Sequence, residues 1–94
     1  MRIEWTETAE TDVVAIAEYI EIDNPIAALT IYEEIHHQIA RLGEYPHMGR
    51  IGRLVGTREL IINRTPFISI YRVERESVMI LRVLHTSQRW PQAL

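Results

Sequence analysis

The sequence predicts an α+β domain: an N-terminal strand, then an α-helical hairpin packed on a small, mainly antiparallel β-sheet. Three observations carry this expectation. Apolar residues recur at helical spacing through the first half of the chain, they alternate or run continuously in short segments of the second half, and a single Asp-Asn-Pro break separates two helical stretches. The 94 residues suit one domain, 1–94, with one modest core.

Residues 2–6 alternate Ile3 and Trp5 with Arg2 and Glu4, the period of a short strand with one buried face. Thr6 or Thr8 then caps a helix whose stripe is Ala9, Val13, Ile16, Ala17 and Ile20, with Glu10, Asp12, Glu18 and Glu21 mostly off it. Asp23-Asn24-Pro25 stops this helix and starts the next, because Asn24 can cap and Pro25 fits a first turn where its missing N–H costs nothing. The second helix runs to about Gly43 along Ala28, Tyr32, Ile35, Ile39 and Leu42. Residues 44–56 hold Pro46, Gly49, Gly52 and Gly56 with Arg50 and Arg53, have no period, and read as a basic loop. Strands are expected over 58–62, 67–73 and 78–84, joined by a turn at 63–66 and a hairpin at 74–77.

Composition excludes several functions. There is no cysteine, hence no disulfide framework, no thiolate nucleophile and no zinc–thiolate cluster. His36 and His37 are adjacent on a helix and point about 100° apart, so they do not chelate together, and no metal site or cofactor is expected. Every basic residue is arginine, so the glycine-containing loop lacks the lysine of a phosphate-binding motif, and Ser69, Ser77 and Ser87 have no nucleophile-elbow context. No stretch approaches the roughly 18 apolar residues of a membrane span, and Glu4 and Glu7 spoil a signal-peptide reading, which leaves a cytoplasmic protein as the simplest expectation.

The net charge of −3 conceals two opposite halves. Residues 1–47 carry ten acids and two bases, net −8, while residues 48–94 carry eight arginines and three acids, net +5. Such asymmetry suggests a basic surface that meets an acidic partner, whether protein or phosphate. The alternative is that the halves neutralise each other across the fold. The candidate partner-facing residues are Arg50, Arg53, Arg58, Arg64, Arg82, His85, Arg89 and Trp90. Arg72 and Arg82, inside strands, are better read as structural cations, one of them paired with an acid such as Glu59 or Glu74. His85 is a general base at neutral pH or a hydrogen-bonded residue at a strand end. Trp90, before Pro91, stacks on a partner or pins the tail to the core.

The ordered set Trp5, Ala9, Asp12, Ile16, Tyr19-Ile20, Asn24-Pro25, Ala27-Ala28, Pro46-His47-Met48-Gly49-Arg50, Gly56-Thr57-Arg58-Glu59-Leu60, Thr65-Pro66-Phe67, Tyr71-Arg72-Val73 and Ile80 to His85 with Trp90-Pro91 resembles the RelE/ParE family of bacterial type II toxins over nearly the whole chain. The resemblance implies a growth inhibitor neutralised by a cognate antitoxin, in a hetero-oligomer with it. It also implies one of two activities: RelE-type members cleave mRNA on the ribosome, whereas ParE-type members are not nucleases and poison DNA gyrase. Cleavage through the 2′-hydroxyl needs a base, cations for the phosphorane and an acid. RelE-like enzymes draw these largely from lysine and arginine on the middle strands, where this chain has Glu59, Ile61 and Ile68. The resemblance therefore favours a ParE-like gyrase poison that is not an enzyme. The alternatives are an mRNA endonuclease using His85 and Arg89, and an inactive relic that only binds antitoxin. The antitoxin segment is expected along the helical hairpin and sheet edge, its acids meeting the arginine-rich half.

Overall fold

A computed structural model describes residues 1–94. The elements are β1 (Arg2–Trp5), α1 (Glu7–Glu21), α2 (Pro25–Ala40), a 3₁₀ turn (Arg41–Gly43), β2 (Arg50–Ile51), β3 (Arg58–Ile61), β4 (Phe67–Val73) and β5 (Ser77–His85). Helix starts follow local chemistry. The Thr6 hydroxyl accepts from the Ala9 amide at 3.0 Å and donates to the Leu81 carbonyl at 3.0 Å, so one side chain caps α1 and ties it to the last strand. Asn24 caps α2 through the Ala27 amide at 3.0 Å, with Pro25 in its first turn.

The sheet order is β1-β5-β4-β3-β2, with β1 parallel to β5 and every other pair antiparallel. Residues 44–56 therefore differ from the expected loop: they contain β2, a two-residue edge strand pairing Arg50 with Glu59 and Ile51 with Arg58. Two residues are too few to show a period, which is why the pattern is invisible in the sequence. In β5, Leu81 has no partner, because Arg82 faces Ile70 while Ile80 faces Tyr71, and this bulge interrupts the ladder.

Both helices cover one face of the sheet. Ala9, Val13, Ile35, Ile39 and Leu42 pack there with Leu60, Ile62, Phe67, Tyr71, Val78, Ile80 and Val83. Tyr32, expected on the buried stripe, instead remains exposed and meets the His36 ring at 4.6 Å; Trp5 also stacks on His36, at 4.8 Å. The far face carries a smaller cluster, Ile70, Leu81 and Leu84, against which Met79 and Trp90 pack. No helix is long and apolar enough to cross a membrane.

Candidate functional site

The arginine-rich loop is held to the sheet by two side chains of adjacent strands. Arg58 and Tyr71 are cross-strand partners. The buried Tyr71 hydroxyl donates to the Pro46 carbonyl at 2.8 Å and accepts from the Gly49 amide at 2.9 Å. Burial pushes this phenol above the usual tyrosine value, although the Gly49 amide and the Arg58 charge act the other way. Arg58 donates to the Gly49 carbonyl at 2.7 Å and more weakly to that of His47 at 3.4 Å. Position 49 must be glycine for this close approach: a Cβ would lie 2.6 Å from the Tyr71 hydroxyl and 2.8 Å from the Glu59 carbonyl.

Cross-strand pairing places Arg50, Glu59 and Ile70 in one row across the sheet. The Glu59 side chain is only 2% exposed and its carboxylate is fully used. One oxygen accepts from Arg50 Nε at 3.1 Å and Nη2 at 2.9 Å, while the other accepts the Arg53 amide at 2.8 Å and lies 3.6 Å from Arg53 Nε. Two guanidinium groups thus share one buried carboxylate, each remaining about half exposed. The Arg53 guanidinium also sits 3.8 Å from the centre of the Trp90 ring, a cation–π stack that brings the tail onto this row.

The other sequence-selected residues are distributed. Arg64, in the turn before β4 with a positive φ of 65°, pairs with Glu34 of α2 at 3.0 Å. Gln38 of α2 reinforces that turn by accepting the Asn63 amide at 2.7 Å and donating to its carbonyl at 3.1 Å. Arg82 pairs with neither Glu59 nor Glu74. It forms a two-pronged bond with Asp12 of α1, at 2.8 and 3.1 Å, and this contact raises its already high pKa. Asp12 additionally accepts the Val83 amide at 2.9 Å, on the stretch of β5 that extends past β1. Arg72 does pair with Glu74, at 3.1 Å. Arg89 is exposed in the tail.

His85 ends β5 with its ring edge-on to Phe67 at 5.4 Å. Its Nδ1 accepts from the Ser87 amide at 3.0 Å and lies 2.7 Å from the Ser87 hydroxyl. With Nδ1 accepting an amide proton, the neutral ring carries its own proton on Nε2, an assignment read from the hydrogen-bond network. Its lone pair is then engaged inside the turn, and its partners include no carboxylate.

The structure therefore brings Arg50, Arg53 and Trp90 together around Glu59, sets Arg58 beneath the loop, and leaves Arg64, Arg82 and His85 on separate contacts. Glu59, Asp12, Gln38 and Tyr71 are organising residues outside the candidate site residues, although Glu59 was expected as an ion-pair partner of a strand arginine and Asp12 and Tyr71 belong to the ordered set that carries the resemblance. Glu59 had a signal, an acid inside an apolar strand beside a basic loop; for Asp12 periodicity offered none, since it reads as one of several helix acids and stands out only in the ordered set of the resemblance. A groove of about 640 Å³ opens on the helix side, between α1 and the end of β5, lined by residues that include Ile16, Tyr19, Ile20, Phe67 and Val83 with Asp12.

Residues 3–90 match the family described as the ParE toxin of the type II toxin–antitoxin system parDE. The candidate toxin Y4kP of Sinorhizobium fredii is 44% identical over 93 residues, covering 99% of this chain and 96% of that protein. The toxin RelE2 of Caulobacter vibrioides is 31% identical over 87 residues, covering 93% and 97%. Among solved structures, a chain of the chromosomal ParDE toxin–antitoxin system from P. aeruginosa superposes with a TM-score of 0.85 at 30% identity, covering 90% of this chain and 95% of that one.

Proposed function

This chain belongs to the ParE toxin family of type II toxin–antitoxin systems, and from that premise we propose that it arrests growth by binding and poisoning DNA gyrase rather than by cutting mRNA. The observation that carries this reading is the commitment of five arginines of the loop, strands and turn, with Arg89 of the tail left exposed. Arg50 and Arg53 are bound to Glu59, Arg58 to loop carbonyls, Arg64 to Glu34 and Arg82 to Asp12. A ribonuclease needs uncommitted cations converging on the scissile phosphate, with a base within reach of the 2′-hydroxyl. Here the strand position facing Arg50 is a carboxylate, and the His85 lone pair is held by Ser87. What this surface offers a partner is shape, an arginine–tryptophan stack and half-exposed guanidinium groups, which suits recognition rather than bond cleavage.

The cognate antitoxin is the partner implied by kinship with a ParDE system. Its segment lies in the apolar groove beside α1. Strand addition there is disfavoured because β5 groups beyond β1 are already bonded: the Leu81 carbonyl to Thr6, the Val83 amide to Asp12 and the His85 amide to the Gln88 side chain.

The test runs purified protein in gyrase supercoiling and DNA-cleavage assays beside mRNA cleavage on programmed ribosomes. Inhibition of supercoiling with intact mRNA is expected, and His85→Ala is expected to retain most of that inhibition. Ribosome-dependent mRNA cleavage abolished by His85→Ala or Arg89→Ala would sink the gyrase reading.

A further inference from the structure

Edge strand β2 is two residues long and leaves part of β3 uncovered. The Ile62 amide bonds the Phe67 carbonyl at 3.0 Å, so by the antiparallel alternation residues 58, 60 and 62 bond toward β4, and residues 57, 59 and 61 turn to the outer edge. On that edge the Thr57 carbonyl takes the Gly52 amide at 2.8 Å, and Glu59 faces Arg50. Met48 is next in register, opposite Ile61, but its amide turns back to the Tyr45 carbonyl at 3.1 Å. The Ile61 N–H and C=O are therefore an unpaired donor and acceptor on an open strand edge. A cleft of about 310 Å³ lies along this edge, lined by residues that include Gln38, Arg41, Met48, Arg50, Ile61 and Asn63. A second cleft of about 470 Å³, with Tyr45, Pro46 and His47, continues from it across Arg41 and Met48, which line both.

Three polar groups of the cleft are unused within the chain. Arg41 ends α2, where the helix dipole favours a cation, and none of the protein's ion pairs engages it. The Asn63 carboxamide makes no hydrogen bond, although the Asn63 amide and carbonyl are both held by Gln38. The Ile61 peptide groups are the third. Arg50 adds the exposed side of its guanidinium, while the Glu59 carboxylate that it grips is buried, so the cleft presents positive charge. We propose that this cleft binds an extended, acidic segment of the toxin's protein target. The segment's main chain adds to the open edge at Ile61, and its carboxylates meet Arg41 and Arg50. Phosphate fits less well: a ligand that only accepts would leave the Ile61 carbonyl and the Asn63 Oδ1 without donors, whereas a peptide main chain supplies both kinds of partner. The antitoxin segment is placed elsewhere, beside α1 and the end of β5, and β4 and β3 separate β5 from this edge. No internal contact has to break, since Arg50 keeps Glu59 and Arg53 keeps Trp90. The inference rests on reading the chain as a poison that acts by binding a protein, and it names the chemistry of what is bound.

The experiment pairs two readouts on the full chain. The first titrates the isotope-labelled protein, by NMR, with a short capped peptide alternating glutamate and valine, and with its counterpart carrying lysine in place of glutamate. The glutamate peptide is expected to shift the Ile61 amide and the Asn63 carboxamide, and the lysine peptide to bind at least about tenfold more weakly. Arg41→Ala should weaken the glutamate peptide about tenfold, the value of one charge-assisted contact, and Asn63→Ala less. Arg75→Ala, at an exposed arginine of the β4–β5 turn, should leave binding unchanged. The second readout is the inducer level that arrests growth in cells without antitoxin, which Arg41→Ala should raise and Arg75→Ala should not. Absent or displaced shifts, or equal binding of the lysine peptide, would overturn the cleft as an acidic-peptide site. So would inorganic phosphate or a single-stranded oligonucleotide that moves the same signals at lower concentration than the peptide. An arrest threshold untouched by Arg41→Ala would remove the cleft from target recognition, and loss of antitoxin co-purification in that variant would reassign it to the antitoxin. A null supercoiling assay would remove the gyrase reading alone, since peptide binding and growth arrest are measured without gyrase.

Discussion

The two faces of the sheet are built from different physics. The helix side is a continuous apolar layer, twelve buried residues from both helices, the 3₁₀ turn, three strands and the residue after β3, in which packing is dominated by dispersion and burial. The far side has a small cluster of three buried apolar residues and a row of charges in which Glu59 is shared by Arg50 and Arg53. The first face secures the fold because its side chains have no alternative favourable environment. The second is adaptable, because water competes for every half-exposed guanidinium on it. A partner that offers carboxylates or an aromatic ring can therefore exchange with the internal contacts of the far side at modest cost, whereas on the helix side it can fill the groove beside α1 but cannot replace the packed layer beneath it without unfolding the protein.

The largest expected effect contrasts the two faces directly. Ile39→Ala, in the fully buried helix-side layer, should cost about 4 kcal/mol, while Leu84→Ala under the tail should cost about 2 kcal/mol because the irregular segment above it can settle into the space. Urea unfolding of both variants checks this, and equal losses would break the distinction between the faces.

Smaller is the effect of Glu59→Gln, which keeps volume but removes the charge shared by two arginines. A loss of about 1–2 kcal/mol is expected, discounted because both guanidinium groups are half exposed, and it should shrink in high salt. The helix-side loss should not shrink with salt, so parallel denaturation at low and high ionic strength sharpens the contrast.

The smallest effect belongs to the rim of the helix side. His36, between Trp5 and Tyr32, has its pKa lowered from 6.5 chiefly by burial, with the Glu10 charge opposing. Between the folded value and 6.5 the unfolded chain binds more protons, so this contribution is complete above about pH 6.5 and is lost as pH falls toward the folded value. The lowered Glu34 pKa acts only in a more acid range, below 4.5. His36→Phe keeps the stacking and should flatten the decline in urea midpoint between pH 7.5 and 5.5; an unchanged slope would remove His36 as its source.

Much of the fold was legible because it is written locally. The alternation at Ile3 and Trp5, the caps at Thr6 and Asn24, Pro25 in the first turn and the β-branched runs of β4 and β5 each depend on a few neighbouring residues. The candidate site was legible only as a composition, arginines gathered in one half. What those arginines do was not, because Arg82 meets an acid 70 positions earlier and Arg64 one 30 positions earlier. The expectation that Glu59 or Glu74 would neutralise a strand arginine held for Arg72 with Glu74, but Glu59 went to the loop.

By itself, then, the sequence determined the class of fold, the order of its elements and the family kinship, all consequences of period, capping and ordered motifs. Tertiary structure decided the parallel pairing of β1 with β5, the two-residue edge strand, the engagement of Asp12 with both Arg82 and the Val83 amide, and the Glu59–Arg53–Trp90 ladder. The reason is geometric. A charge pair forms where register, bulge and loop length bring two distant side chains within about 3 Å, and none of those three is encoded in the residue types of the pair alone.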